Sequence, residues 1–296
     1  MAHDHHHQSV KNIKLAFFLN VGFTILEIFG GLFTNSVAIL SDALHDLGDS
    51  LSLGVSWYLD KKSNKSATKE FTFGYKRFSL LGALINSVVL IVGSVFVIRE
   101  AVERLMNPES SNAQGMVVFA IVGVTVNGYA AWKLSSGKSM NEKVVSWHLL
   151  EDVLGWVAVL IVAVVLLFVK ADFLDPALSI LITVYVLYNV IRRLKETLFL
   201  FLEGTPPEIN VDDVISKIQN IEHVASLHHT HLWSLDGEHH VFTTHVKLRN
   251  ISHFDQIIEV KHAIKGMLEK EYDFSHYTIE TELEQESCFL QTGHHD

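Results

Sequence analysis

One cysteine, Cys288, stands in 296 residues, so an internal disulfide framework is excluded and the chain fits a reducing compartment. Histidine is nearly missing from the first two-thirds: between Leu15 and Glu203 only His45 and His148 occur. No His-Glu-x-x-His string is present, which removes one helical zinc-hydrolase signature. No cleavable signal peptide is visible, because the first apolar run is too long and lacks a small-residue cleavage site. Charged residues make up only 19% of the chain against 49% hydrophobic, and the mean hydropathy is positive at +0.26. That balance argues against an ordinary soluble protein of this length.

What is present is a set of apolar runs of about 20 residues, the length that crosses a bilayer as helix. Six are expected, near Ile13–Phe33, Ser36–Leu59, Phe78–Ile98, Gly115–Leu134, Val144–Val169 and Leu174–Ile191, the last continuing as helix towards Leu202. Basic residues near these runs are lopsided, 14 on one side and 3 on the other, which places both termini in the cytoplasm. Residues 1–12, with the tract Met1-Ala-His-Asp-His-His-His, read as a disordered cytoplasmic tail. That tract fits a metal-collecting tail or a purification tag, although Asp4 interrupts a plain hexahistidine run.

Residues 13–204 form the membrane domain, residues 205–286 a soluble α+β domain and residues 287–296 a flexible tail. The soluble part alternates as α-β-β-α-β over Val211–Asn220, Val224–Leu235, Glu238–Leu248, His253–Tyr272 and Tyr277–Leu283, with its helices on one face of the sheet. All of the net charge of −10 belongs to the chain from Thr205 onward, tail included, where 6 Lys/Arg meet 16 Asp/Glu. No nucleic-acid partner is expected.

The two lone histidines carry the chemistry. His45 and Asp49 are i and i+4 in the second run, as are His148 and Asp152 in the fifth. On a helix each pair shares a face. Ionisable groups at membrane depth cost a few kcal/mol each and usually mark an ion path. If the two helices face each other, two imidazoles and two carboxylates complete a tetrahedral zinc shell. Neutral histidines, ionised aspartates and a dication sum to zero charge, the cheapest state to hold in a low dielectric. Without the metal, two neighbouring carboxylates must hydrate or take up protons, so binding one ion expels the other. The plainer reading of each pair, an interhelical clamp, explains one motif better than two matched ones. Asp42, on the same face, and Asn20 and Glu27 in the first run are expected to support the site or line its path.

In the soluble domain, a two-residue type I′ turn at Asp236-Gly237 sets His228 opposite His245, about 5 Å apart at Cβ. His231, Cys288 and the tail pair His294-His295 are further candidate ligands there. His223, His253, His262 and His276 are read as ordinary surface residues. Twelve histidines and 16 acids on this domain would repel a second copy until a cation screens or bridges them.

These strings together resemble the cation diffusion facilitators. They are Ser36-Val-Ala-Ile-Leu-Ser-Asp-Ala-Leu-His45-Asp-Leu-Gly-Asp49, Phe71-Thr-Phe-Gly-Tyr-Lys-Arg77, Trp147-His148-Leu-Leu-Glu-Asp152, Asp175-Pro176, Leu202-Glu-Gly-Thr-Pro206 and His228-His-Thr-His-Leu-Trp-Ser-Leu235. The resemblance covers nearly the whole chain. It implies a homodimeric zinc-type metal/proton antiporter, bacterial in character, with a metallochaperone-like cytoplasmic domain. His45, Asp49, His148 and Asp152 would then hold the transported Zn2+, with Cd2+ and Co2+ as further cargo. It also implies Glu282, with Glu280 two residues before it, as a cytoplasmic ligand beside His228 and His245, and an ion pair of Arg77 with Glu203 at the membrane–cytoplasm junction. Where some members bind a second metal through histidines between spans two and three, this chain has Phe71 and Tyr75. An intramembrane zinc hydrolase is the alternative, but it needs an open coordination position and a general base, and the motifs supply a filled tetrahedron instead.

Overall fold

A computed structural model describes residues 2–63, 67–135 and 140–288; within its helices, the side chains of 2–16, 19, 53, 56, 57, 59–63, 133–135 and 140–148 lie outside the description. Six long helices come first: α1 Ala2–Thr34, α2 Val37–Ser63, α3 Phe78–Met106, α4 Ala113–Ser135, α5 Met140–Phe168 and α6 Leu174–Phe201. A smaller pattern follows, α7 Val211–Gln219, β1 Val224–Ser234, β2 His240–Leu248, α8 Phe254–Glu271 and β3 Phe274–Glu282. The chain divides into two compact units, Met1–Thr68 with Leu81–Leu194, and Lys69–Leu80 with Lys195–Asp296.

The first unit is a helical transmembrane bundle. Its backbone bonds close within each helix, as a chain without water around it requires. Among the described residues α3, α4, α5 and α6 are long and apolar enough to cross a membrane. α2 carries Asp42, His45, Asp46 and Asp49 within its length. The outward faces are apolar, with Phe29, Phe33 and Phe96 all well exposed, a surface suited to hydrocarbon rather than water. The helices outrun the apolar runs at several ends. α1 begins at Ala2, so the tract expected as a disordered tail continues the first helix; once nucleated, a helix extends at little cost per residue.

Between α1 and α2 the chain reverses in two residues. Asn35 takes a left-handed φ of 54°, and Ser36 N–H donates to Gly31 O at 3.0 Å, a glycine-type helix stop with asparagine in the strained position. Close approach sets the remaining neighbours. A Cβ on Gly123 of α4 would lie 2.1 Å from the Trp156 ring of α5, and one on Gly48 of α2 would lie 2.6 Å from Leu90 of α3. Trp156 is one turn beyond Asp152 and Gly48 lies between His45 and Asp49, so both close contacts fix the helices at the residues that matter.

The second unit holds a three-stranded sheet in the order β1-β2-β3, with β1 and β2 antiparallel and β3 parallel to β2. Helices α7 and α8 cover one face through Val214, Ile218, Val260, Ile264 and Leu268, packed on Leu232, Phe242, Val246 and Leu248. Asn210 caps α7 by accepting from the N–H groups of Asp212 and Asp213.

The hairpin departs from the expected two-residue turn. Leu235 N–H donates to His239 O at 2.8 Å, leaving three residues in the loop, and Asp236 Oδ1 accepts from the N–H groups of Glu238 and His239. Gly237 takes φ +100° there. The strand register next to the loop is therefore one residue off the expectation, with Ser234 opposite His240 and His231 opposite Thr243. A bulge between His228 and His231 takes up the extra residue, with His229 at φ 48°. Beyond it His228 faces His245 after all.

Candidate functional site

Two clusters of histidine and carboxylate emerge, one in each unit. In the helical unit α2 contributes His45 and Asp49 and α5 contributes Asp152. His45 Nε2 is 3.6 Å from Asp49 Oδ2 and 3.8 Å from Asp152 Oδ1. Two helices a hundred residues apart in sequence thus bring three of the four expected ligands together. His148 belongs to α5, one turn before Asp152, but its side chain lies outside the described residues.

These side chains line a cavity of about 300 Å³, to which α3 adds Asn86 and Ser87 and α6 adds Tyr185 and Asn189. Asp42 is on the cavity wall, as expected of a residue on the metal face. Asn20 and Glu27 are not among the lining residues. Asn20 instead donates to Asp46 O and Ser50 Oγ of α2, both at 3.0 Å, and so ties α1 to α2. Glu27 is fully buried. Its carboxyl interacts with Asp46 and Asp42 of α2 and with Asp152 of α5, so both α1 groups face the helices that carry the expected ligands.

In the second unit the cluster lies on the sheet face opposite the helices. His228 Nε2 and His245 Nδ1 both bond to Glu282 Oε1, at 3.1 and 2.8 Å, while Cys288 Sγ lies 3.7 Å from His245 Nδ1. One ligand atom from each of the four residues falls within 4.8 Å of the other three. Two imidazole nitrogens, a thiolate and a carboxylate are a zinc donor set. Burial pushes the Glu282 carboxyl up, but the hydrogen bonds it accepts from His245, Cys288 and His228 outweigh that and hold it below the usual carboxylate range. Glu282 is therefore held as a carboxylate, and the four side chains are already gathered before any cation arrives.

Glu280 contacts the outer ring nitrogen of His245, at 3.3 Å. His231 is exposed, and the bulge leaves it beyond the cluster. His229 was not anticipated: its ring centroid lies 5.3 Å from those of both His228 and His245. An alternating strand would have turned it to the other face, and nothing in the local sequence marks the bulge that brings it back. Among the presumed surface histidines, His223 is near Arg249 O at 3.3 Å and His276 packs edge-on against Phe73. His294 and His295 lie outside the described residues.

The expected ion pair is formed. Arg77, just before α3, donates to Glu203, just after α6, at 2.8 Å. Both side chains are exposed, so the pair contributes only ~0–1 kcal/mol by itself. Glu203 takes a left-handed φ of 65° immediately before Gly204, a position where glycine is the relaxed choice. Phe71, Tyr75 and Phe78 pack ring on ring, with centroids 5.0 to 5.6 Å apart.

Comparison with known proteins agrees with this layout. Residues 13–202 match the cation efflux transmembrane domain and residues 206–284 the cation efflux protein cytoplasmic domain. The cadmium, cobalt and zinc/H(+)-K(+) antiporter of Bacillus velezensis is 34% identical, covering 95% of this chain and 92% of its own. Zinc transporter ZitB of Pectobacterium atrosepticum is 33% identical over 100% and 94%. Metal cation efflux system protein CzcD of Cupriavidus metallidurans is 33% identical over 95% and 89%. With both domains matched and the helical and sheet-borne parts laid out as described, the chain belongs to the cation efflux family, the cation diffusion facilitators, and is a multi-pass metal-cation transporter rather than an enzyme.

Proposed function

We propose that the protein exports Zn2+ from the cytoplasm in exchange for protons, with Cd2+ and Co2+ as further cargo, at a site made by His45, Asp49, His148 and Asp152. All six long helices cross the membrane, the bacterial inner membrane, with both termini in the cytoplasm; residues 205–286 work there as a homodimeric, metal-sensing domain. The single observation that supports the site is the approach of His45 to Asp49 and to Asp152 from a second helix, beside a cavity inside the bundle.

The chemistry follows from charge. Metal-loaded, the four groups and the dication are neutral, so the occupied site needs no other counter-ion. Emptied, the two aspartates face each other, and protons restore neutrality. The site then alternates between one dication and the protons it displaces, and exposure to one side at a time makes the exchange obligatory. Imidazole with carboxylate also suits zinc better than harder ions. The names of the relatives, zinc transporter and zinc/H(+)-K(+) antiporter, agree with cargo and coupling alike.

In the cytoplasmic domain, cation binding at His228, His245, Glu282 and Cys288 lowers the negative charge that keeps two copies apart and tightens the dimer. Equilibrium zinc binding to the purified full-length protein tests the assignment. Two affinity classes are expected, one lost in Asp49→Ala and the other in His228→Ala with His245→Ala. A single class unaffected by Asp49→Ala would remove Asp49 from the ligand set.

A further inference from the structure

Beside the first turns of α2, α6 makes a contact that is polar, continuous and dry. Asp175, Ser179 and Thr183 stand at i, i+4 and i+8 on one stripe of α6, each no more than 1% exposed. Opposite them, Ser36 Oγ and Val37 N–H donate to the two Asp175 oxygens at 2.5 and 2.8 Å, and Ala38 N–H reaches Asp175 Oδ1 at 3.4 Å. Ser179 Oγ donates to Val37 O at 3.2 Å, and the hydroxyls of Ser41 and Thr183 share a hydrogen bond of 2.7 Å. Ser36 itself accepts from Ile39 N–H. Three of the four N–H groups left open at the start of α2 are thereby filled, two of them by a carboxylate from another helix. That carboxylate also faces the positive end of the α2 dipole.

Further along α6 the surroundings change. Tyr185, Val186, Asn189 and Val190 line the cavity that holds His45, Asp49 and Asp152. One helix therefore clasps α2 on the N-terminal side of the metal ligands and borders open space beside them. The materials of the clasp are telling. Serine and threonine hydroxyls commonly bridge helices in a bilayer, but a buried carboxylate there is costly, marks a pathway, and has ready partners in water. Parting this seam exchanges its hydrogen bonds for hydration, and closing it again restores a complete helix cap.

We propose that Asp175, Ser179 and Thr183 of α6, with Ser36 and Ser41 of α2, are the outer gate of the transport pathway, shut in the present conformation. The proposal rests on the orientation and the four-ligand site given above, which put the start of α2 on the non-cytoplasmic side. Releasing zinc outward then requires α6 to let go of α2. Asp175 acts as a positioning residue: it holds the metal-bearing helix without touching the cargo.

The test joins the two halves of the seam. Ser41→Cys with Thr183→Cys, in the otherwise native full chain, is reconstituted in proteoliposomes, and mass spectrometry assigns the disulfide. Oxidation is expected to cut proton-driven zinc flux at least tenfold, reductant to restore it, and equilibrium zinc binding in detergent to persist throughout. Undiminished flux through the oxidised protein overturns the gate. Should no disulfide form, or the reduced pair not transport, Ser179→Cys alone decides. A membrane-impermeant maleimide on the outer side must label it faster during zinc–proton exchange than at rest, and equal rates overturn the gate as well. Failure of the ligand set looks different, because Asp49→Ala would then keep its zinc affinity while the cross-linked protein still stopped.

Discussion

The two histidine–carboxylate clusters use similar side chains and differ in how tightly they are held. On the sheet, His228 and His245 are already bonded to Glu282 at 3.1 and 2.8 Å, and a rigid strand register fixes all three. In the bundle, His45 stands 3.6 and 3.8 Å from its two carboxylates, beside a cavity and on helices that neighbour one another through glycine contacts. A preassembled cluster suits a ligand that binds and stays as a signal. A looser one suits cargo that must leave again, because the groups close on the ion and reopen without it. Under the proposed roles, ligand type alone does not separate a carrier site from a sensor site; the scaffold does.

The largest effect that would sharpen this contrast is in the bundle. Asp49→Ala or Asp152→Ala should abolish zinc flux while the helical circular dichroism stays unchanged, since removing a half-buried carboxylate leaves the dication without its counter-charge. Normal flux in either variant would take that residue out of the site. Next comes selectivity: His45→Asp replaces a nitrogen donor by oxygen and should raise cadmium transport relative to zinc, read by competing the two metals in one assay. In the sheet cluster, His228→Ala with His245→Ala should weaken cytoplasmic binding by at least the ~10–100-fold seen on losing mere ligand-orienting groups. Flux at saturating zinc should change far less than in the aspartate variants. Equal loss of flux from both clusters would erase the distinction between carrier and sensor.

Smaller effects test the connection at Arg77 and Glu203. Glu203→Gly relaxes the left-handed backbone, worth roughly 1–3 kcal/mol, and deletes an ion pair worth ~0–1 kcal/mol. Thermal stability should therefore hold or rise. If the pair couples α3 to α6 during transport, turnover should fall even so. The smallest effect expected is at Asp213, in the second unit but away from the metal cluster. Hydrogen bonds from Lys217 and Tyr272 hold its carboxyl below the usual range. Its contribution is full above the unfolded value of ~3.9 and is lost as pH falls through the lower folded value. Asp213→Asn should lower the melting temperature slightly at neutral pH, with the difference vanishing in strong acid.

Much of this architecture was legible because the bilayer and the sheet impose simple periods. The apolar runs marked all six long helices, although an end was missed where helix continues past the apolar stretch, as at Met106; the continuation of the last helix to Phe201 was foreseen. The i, i+4 spacing of His45 with Asp49 was enough to put both on the face that meets Asp152. The opposition of His228 and His245 came out correctly through two departures that cancel, a longer loop at Asp236 and a bulge at His229. The bulge has no sequence signature, because a non-glycine residue at positive φ looks like any other. For the same reason His229 beside the cluster went unforeseen. The polarity of Asn20 and Glu27 said that each has a partner, but the partners of Asn20 at Asp46 and Ser50 lie on another helix and had no local trace. Asp175 was visible as part of a motif, yet its partners at Ser36 and Val37 are 139 and 138 residues away and had no local trace.

The central claim, that one intramembrane site alternates between a dication and protons, is tested most directly in sealed proteoliposomes loaded with a zinc-sensing dye. With the lumen made acidic, zinc should enter the vesicles as protons leave, and a protonophore that collapses the gradient should stop accumulation. Asp49→Ala vesicles should stay dark. Zinc accumulation that persists at the same rate and extent after the gradient is collapsed would contradict the account.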